Sequence, residues 1–375
     1  MNDIFHVMKI FRKTVLFAKN FYLQQELRGI MEVARSRGWQ LELPQMYGLP
    51  GHVRNWHGAG LLTDTGYYTE KLRNEGVKIV GLSLDPVLLR TAGAVVAPDN
   101  ARIGVVAAEY FLRHGYRRFA VCEDCFGRDL AFERRIAAEG VHAVRISMPR
   151  YFRSTLALKR VMERLSLLPT PCCIFCNNDW EASSVLNAAG MAGIKVPEHL
   201  AVLGVGNEEL ICSTASPQIS SLDTRLYERG RRAAEELDRL MEGGDPRSSP
   251  ILIPPGEVVE RGSSSFYAVS NRTLGRILAF LRKRAASPLQ ISALARRFRL
   301  SESTLYRLFY AELGISPKEF LTELRLEQAR TRLRDTDDTI ATIAAECGFS
   351  SACSLFELFR ARYGCTPGRW RAANR

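Results

Sequence analysis

Nowhere does this 375-residue sequence stay apolar for the ~18 residues that a membrane-spanning helix needs, although 46% of it is hydrophobic. The opening MNDIFHVMKIFRKTVLFAKN is basic and apolar, but Lys9, Arg12 and Lys13 break the run and no small-residue cleavage site follows. It does not read as a secretory leader, and a cytoplasmic protein is expected. Low-complexity tracts are absent. The six histidines are scattered, and no Gly-rich phosphate loop or G-x-S-x-G elbow occurs. The commonest catalytic constellations are therefore missing, so no enzyme, catalytic residue or cofactor is expected. Nine cysteines in such a compartment should be reduced, several of them buried. Cys122-x-x-Cys125 and Cys173-x-x-Cys176 have zinc-like spacing. CCIFC, however, reads as a strand, where positions three apart point to opposite faces, so no metal site is expected.

What is present is an uneven charge. The chain carries a net +12, and its length suits two or three domains. From Asn271 onward there are 19 Lys and Arg against 10 Asp and Glu, a surplus of nine, and the first 270 residues hold only the remaining three. A near-neutral large domain joined to a basic small one is an electrostatic footprint for a phosphate backbone.

From Thr14 to about Asp223, β-branched apolar runs such as TVLFAK, AGLLTD, VKIVGLS and GAVVAPDN alternate with helical stretches. This alternation predicts βαβ units around parallel sheet. So many units would overfill one sheet, which predicts an α/β domain of two lobes with a cleft over residues 1–265. Ligands of open α/β sheets sit at the carboxyl ends of the strands. Lys19, Asn20, Asp64, Asp99, Asn100, Asn177, Asn178, Asp179, Gly206, Asn207 and Glu208 stand there. Each of the acids and amides also has a helix-capping reading.

The segment CNNDWEASSVLNAAGMAGIKVPEHLAVLGVGNEE, followed by SPQISSLD and IPPGEVVERGSS, resembles the C-terminal half of the LacI/GalR sensor domain. Asn178-Asp179, Val196-Pro197 and Val259, Glu260 and Arg261 carry the likeness. It implies a fold similar to periplasmic sugar-binding proteins. Such repressors place a helix-turn-helix ahead of the first sensor strand, where this sequence begins, so DNA binding is expected elsewhere.

The Ser-rich connector ERGSSSFYAVSNR marks a boundary near 262–271, and an all-α domain is expected over 272–375. Leu274, Ile277, Leu278 and Leu281 give its first helix one buried face. Two helix-turn-helix units follow. In the first, Ile291, Leu294 and Ala295 face inward, Ser301 caps the reading helix, and Leu305, Leu308 and Phe309 are at core spacing. Glu302, Ser303, Thr304, Tyr306 and Arg307 are then exposed toward a major groove. Arg307 can read a guanine or clamp a phosphate. In the second, Leu355, Leu358 and Phe359 pack, while Ser351, Ala352, Ser354, Phe356 and Glu357 are exposed and Arg360 and Arg362 can meet phosphates.

Three motifs carry a close resemblance to the AraC/XylS DNA-binding domain. They are L-x-x-L-R-x-x-x-A (Leu321 to Ala329), I-x-x-I-A-x-x-x-G-F (Ile340 to Phe349) and F-x-x-x-x-G-x-x-P-x-x-x-R (Phe359 to Arg371). Glu357 departs, since a basic or polar group is usual there. A LacI-type sensor ahead of an AraC-type reader implies a dimeric regulator, an activator by the habit of the family, responsive to a sugar such as xylose or a related carbohydrate. The resemblance implies conserved or ligand-facing roles for Tyr22, Asp99, Asn100, Arg128, Asp179 and Asn207, alongside Asn20, Asp64 and Asn178 from the strand ends. Leu23 and Gly206 stand where that pattern has acids, each of which could accept two strong hydrogen bonds. Promoter DNA, a second copy and RNA polymerase are the expected partners, with no membrane. Three alternatives remain open: an α/β enzyme with a DNA-binding tail, a solute-binding domain with such a tail, and a sensor that has lost or changed its sugar.

Overall fold

The computed structural model describes residues 13–19, 23–43, 53–54, 56–124, 126–148, 155–269 and 271–373. The chain divides into two compact units, Met1–Leu112 with Arg117–Ser265, and Arg113–Tyr116 with Phe266–Arg375.

The first unit alternates strands and helices. It runs β1 Lys13–Ala18, α1 Gln24–Arg37, β2 Trp39–Glu42, β3 Gly60–Thr63, α2 Thr69–Asn74, β4 Lys78–Gly81, α3 Pro86–Thr91, β5 Ala94–Pro98 and α4 Asn100–Arg113. Then come β6 Phe119–Cys122, α5 Arg128–Ala137, β7 Ala143–Ile146, α6 Thr155–Ser166, β8 Cys172–Phe175, α7 Asp179–Met191 and β9 Leu200–Gly206. It closes with α8 Glu209–Thr214, β10 Ser220–Asp223, α9 Leu226–Met241, β11 Ile251–Ile253, β12 Val258–Val259 and a short 3₁₀ turn, Gly262–Ser264.

Two six-stranded sheets result, ordered β11-β5-β4-β3-β1-β2 and β12-β10-β9-β8-β6-β7. All strands pair in parallel except β12 against β10. A parallel sheet is covered on both faces, so its strands are apolar throughout. In β1, Val15, Leu16, Phe17 and Ala18 are all fully buried, Val15 and Phe17 in one cluster and Leu16 and Ala18 in another. The second lobe has its own core, including Ile174, Val185, Leu186 and Val202.

The chain crosses between lobes three times, after β5, β10 and β11. The crossings are tied by backbone bonds from Asp99 N to Ile253 O (3.0 Å), Gly256 N to Asp223 O (2.8 Å) and Asp223 N to Glu257 O (3.1 Å). Strands β11 and β12 carry little signal in sequence because they are three and two residues long.

In the second unit, α10 Arg272–Arg284 and α11 Ile291–Arg297 precede α12 Glu302–Leu313. They are followed by α13 Pro317–Asp335, α14 Ile340–Glu346, α15 Ala352–Tyr363 and α16 Pro367–Ala373. Leu274, Ile277, Leu278 and Leu281 bury the face of α10 against Leu294, Leu305, Phe309 and Leu324. A second cluster, around Leu333, Ile343, Leu355 and Phe359, serves the second helix-turn-helix. Leu358 does not join it. It is 38% exposed, because the seam of α15 is already filled by residues four apart, Leu355 and Phe359.

Candidate nucleic-acid interface and ligand cleft

Each reading helix begins on a serine. Ser301 Oγ accepts from Thr304 N, and Ser351 Oγ accepts from Ser354 N, both at 3.1 Å. Both helices end on glycines at φ 72°, Gly314 and Gly364. The two units thus repeat at an offset of fifty residues. At that offset Leu305 matches Leu355, Phe309 matches Phe359, and all four are fully buried.

The outward positions do not match. Ser303 and Arg307 are exposed and Thr304 and Tyr306 half-buried. Arg307 makes no ion pair among the described residues, so its guanidinium projects into solvent. Ser303 and Thr304 hydroxyls lie 2.9 Å from Ser301 Oγ, so the same groups that face a groove also complete the cap. In the second helix Ser351, Phe356, Glu357, Arg360 and Arg362 are exposed and Ala352 and Ser354 half-buried. Glu357 occupies the position equivalent to Arg307. Arg362 Nε lies 3.7 Å from Glu323 and its guanidinium 5.9 Å from the Tyr363 ring.

One residue that motif reading left unexplained links the units. Arg325 on α13 donates from Nε to Ala285 O (2.8 Å) and from Nη2 to Ser287 O (3.1 Å), at the end of α10. Gly348, in the turn of the second unit, lies against the same place. A Cβ there would stand 2.8 Å from Ala286 O and 2.9 Å from Arg325 Nε, and its φ is +80°. The glycine is required on both counts.

In the sensor unit, the carboxyl ends of β6 and β8 bring polar groups together. Arg128, at the start of α5, donates from Nε to Asn100 Oδ1 (2.8 Å) and from Nη1 to Asn177 O (2.5 Å). Its guanidinium also stands 5.4 Å from the Phe126 ring. Two Asn residues thus orient one cation at the floor of the second lobe.

The other candidates are placed variously. Asn20 and Tyr22 lie outside the described residues. Asp64, half-buried at the end of β3, accepts Ser83 Oγ through its backbone carbonyl (2.9 Å). Asp99 accepts Arg102 N (2.9 Å) and begins α4, while Asn178 accepts Glu181 N (2.8 Å) and caps α7. Asp179 is 2% exposed and its carboxylate faces its own lobe, accepting Ser221 Oγ (2.5 Å) and Glu208 N (2.8 Å). Burial raises its pKa above the usual carboxylate value, and those two donors only partly offset it. Asn207, at φ 55°, accepts Arg261 Nη2 at 2.8 Å.

Ser221 is a site residue that sequence reading missed. An inward-facing hydroxyl within the short strand SSLD was its only signal. Lys19 is 6% exposed and pairs with Glu26, which is fully buried and also accepts Arg229 Nη2 at 2.6 Å. Burial alone would raise the Glu26 pKa, but Arg229 and Lys19 outweigh it and hold it below the usual range.

The two positions where acids are absent also have local explanations. Leu23 precedes α1 without any side-chain cap. Gly206 has φ +125°, and a Cβ there would lie 3.2 Å from Asp179 Oδ2. A carboxylate at that position would crowd the one already buried.

Residues 108–264 match the periplasmic binding protein-like domain family, and residues 294–373 match the helix-turn-helix domain family of the AraC type. The chain therefore joins a periplasmic binding protein-like sensor to an AraC-type helix-turn-helix reader, the build of a transcriptional regulator. The regulator is 26% identical to the xylose operon regulatory protein of Escherichia coli K12, over 97% of each chain. Its fold matches a solved structure described as a xylose-binding transcription activator, with TM-score 0.59 and 24% identity over 96% of this chain and 98% of that one. The sensor unit also matches a LacI family regulator of Arthrobacter sp. FB24 in complex with lactose. There the TM-score is 0.58 and the identity 23%, covering 68% of this chain and 99% of that one.

Proposed function

We propose that the effector of this regulator is a sugar or closely related carbohydrate, bound between the lobes against Arg128. The carrying observation is the guanidinium held by Asn100 and Asn177 at the strand ends, a fixed donor pair for adjacent hydroxyls. Full-length similarity to the xylose operon regulatory protein supports the same class. Leu23 and Gly206 leave two fewer carboxylate acceptors, which favours a carbohydrate related to xylose over xylose itself, and a site tuned to particular hydroxyls discriminates steeply. Closure about the three crossings is the response to ligand.

The reader grips promoter DNA with two helices per chain, and two chains pair in a homodimer on repeated half-sites. Ser303, Thr304, Tyr306 and Arg307 carry base readout. Arg360 and Arg362 supply phosphate contacts, and the bound dimer recruits RNA polymerase as an activator in the cytoplasm.

A thermal-shift panel of pentoses, hexoses and sugar acids tests the effector. A true ligand at about 100 times its Kd stabilises by ~2.7 kcal/mol. Absence of any shift from wild type, with Arg128→Ala equally unresponsive, rejects a sugar effector. Salt-dependent shift of the chain's own promoter fragment tests the reader.

A further inference from the structure

We propose that Cys122, Cys176 and Glu181 form a zinc-binding site in the second lobe of the sensor, with the side-chain oxygen of Asn177 as the fourth donor. Neither CxxC spacing supplies this set. The parallel register of β6 and β8 pairs Val121 with Phe175, which places Cys122 beside Cys176, fifty-four residues away.

The two sulfurs lie 3.8 Å apart, and both lie within 4.8 Å of a Glu181 carboxylate oxygen. Two thiolates each about 2.3 Å from a tetrahedral zinc stand ~3.8 Å apart, so the pair is already at ligating separation.

Asn177 supplies the independent sign of a missing partner. It is 5% exposed, and its amide nitrogen donates to the carbonyls of Cys122 (3.5 Å) and Glu123 (3.1 Å). Its backbone N–H donates to Glu181 Oε2 at 2.7 Å, yet among the described residues its Oδ1 accepts nothing. A buried amide oxygen left in that condition costs free energy that a cation would recover.

Two sulfurs with two oxygens suit zinc. Copper(I) favours sulfur throughout, and calcium and magnesium favour oxygen throughout. Burial pushes the Cys122 and Cys176 thiols and the Glu181 carboxyl above their usual pKa values. Zinc would take the thiols as thiolates, releasing two protons on binding, so affinity rises with pH. The site adjoins Asn177, whose carbonyl holds Arg128, so the metal braces the floor on which the effector lies.

Full-length protein, reduced and stripped of metal, is titrated with Zn2+ against a chromophoric chelator and, separately, with Co2+. One Zn2+ per chain is expected. The Co2+ form should show a sulfur-to-metal charge-transfer band and the strong visible absorption of tetrahedral cobalt. Cys176→Ser should weaken Zn2+ binding by more than the 10–100-fold that losing a supporting partner costs. Glu181→Gln should weaken it less, and Cys365→Ser not at all. The wild-type Co2+ spectrum decides the matter if Cys176→Ser fails to fold.

Zinc uptake that survives Cys176→Ser, a Co2+ spectrum without a thiolate band, or no uptake by reduced wild type overturns the site. So does a Cys122–Cys176 disulfide in protein kept under reductant, which would make the pair a redox element. None of these readouts involves sugar or operator, so the site stands or falls apart from the proposed effector.

Discussion

The two helix-turn-helix units are built alike and equipped differently. Fifty residues apart, Ser301 and Ser351 cap, Leu305 and Leu355 pack, Phe309 and Phe359 pack, and Gly314 and Gly364 stop the helix. The constraint is steric: a short turn between two helices leaves one geometry for the cap and one seam for the core. The outward faces have no such constraint, and there Arg307 is answered by Glu357. An arginine can neutralise phosphate or hold guanine bidentately, whereas a glutamate repels phosphate and can accept from a base amino group such as that of cytosine. Repetition of the buried half therefore says nothing about equal shares in binding.

The largest effect is expected where the units are joined. Arg325→Leu leaves Ala285 O and Ser287 O without their donor, at a cost of about 1.5–3 kcal/mol, since the hydrogen bonds come from a charged group. Urea denaturation should show a lower midpoint, and a second, separate transition would mean that the units no longer unfold together.

Arg307→Ala is next, with a loss of about 1–3 kcal/mol in operator affinity measured by fluorescence anisotropy. If Glu357→Ala costs as much, the asymmetry is refuted. The caps should instead behave alike: Ser301→Ala and Ser351→Ala each lower stability by about 1 kcal/mol, and a threefold difference in denaturation midpoints would break the equivalence.

Glu357→Gln should tighten DNA binding by less than 1 kcal/mol, an effect that fades as salt is raised.

The smallest concerns pH. Ser316 and Glu319 form a capping box at the start of α13, with Ser316 N donating to Glu319 Oε2 at 2.7 Å. The equivalent start of α16 has Thr366 as cap and Arg369 in place of the acid. The Ser316 backbone N–H lowers the pKa of Glu319 from its usual 4.5. A lowered carboxyl contributes stability that is present above its unfolded pKa and lost as pH falls through the folded one. Amide exchange over the first turn of α13 should quicken in that acid window, while Glu319→Gln removes the dependence and α16 shows none.

The reader was largely legible from sequence because its rules are local. Caps act over three residues, core spacing over four, and the glycine stops sit immediately after each helix. One exception, Leu358, was assigned inward together with Leu355 and Phe359 and lies outside because those two already fill the seam. In the sensor, alternating strands and helices predicted two lobes, and two sheets are present. The polar strand ends were visible too, but not their direction. Asp179 and Asn178 both follow β8, yet one carboxylate is buried against Ser221 while the neighbouring amide caps a helix.

Sequence alone determined the order of the two domains, the placement of both reading helices and the excess of positive charge on the second domain, since each depends on residues close in the chain. Tertiary structure alone decided which distant groups meet. Parallel strands pair across whole helices, so only the folded sheet sets Cys122 beside Cys176 and Ser221 beneath Asp179.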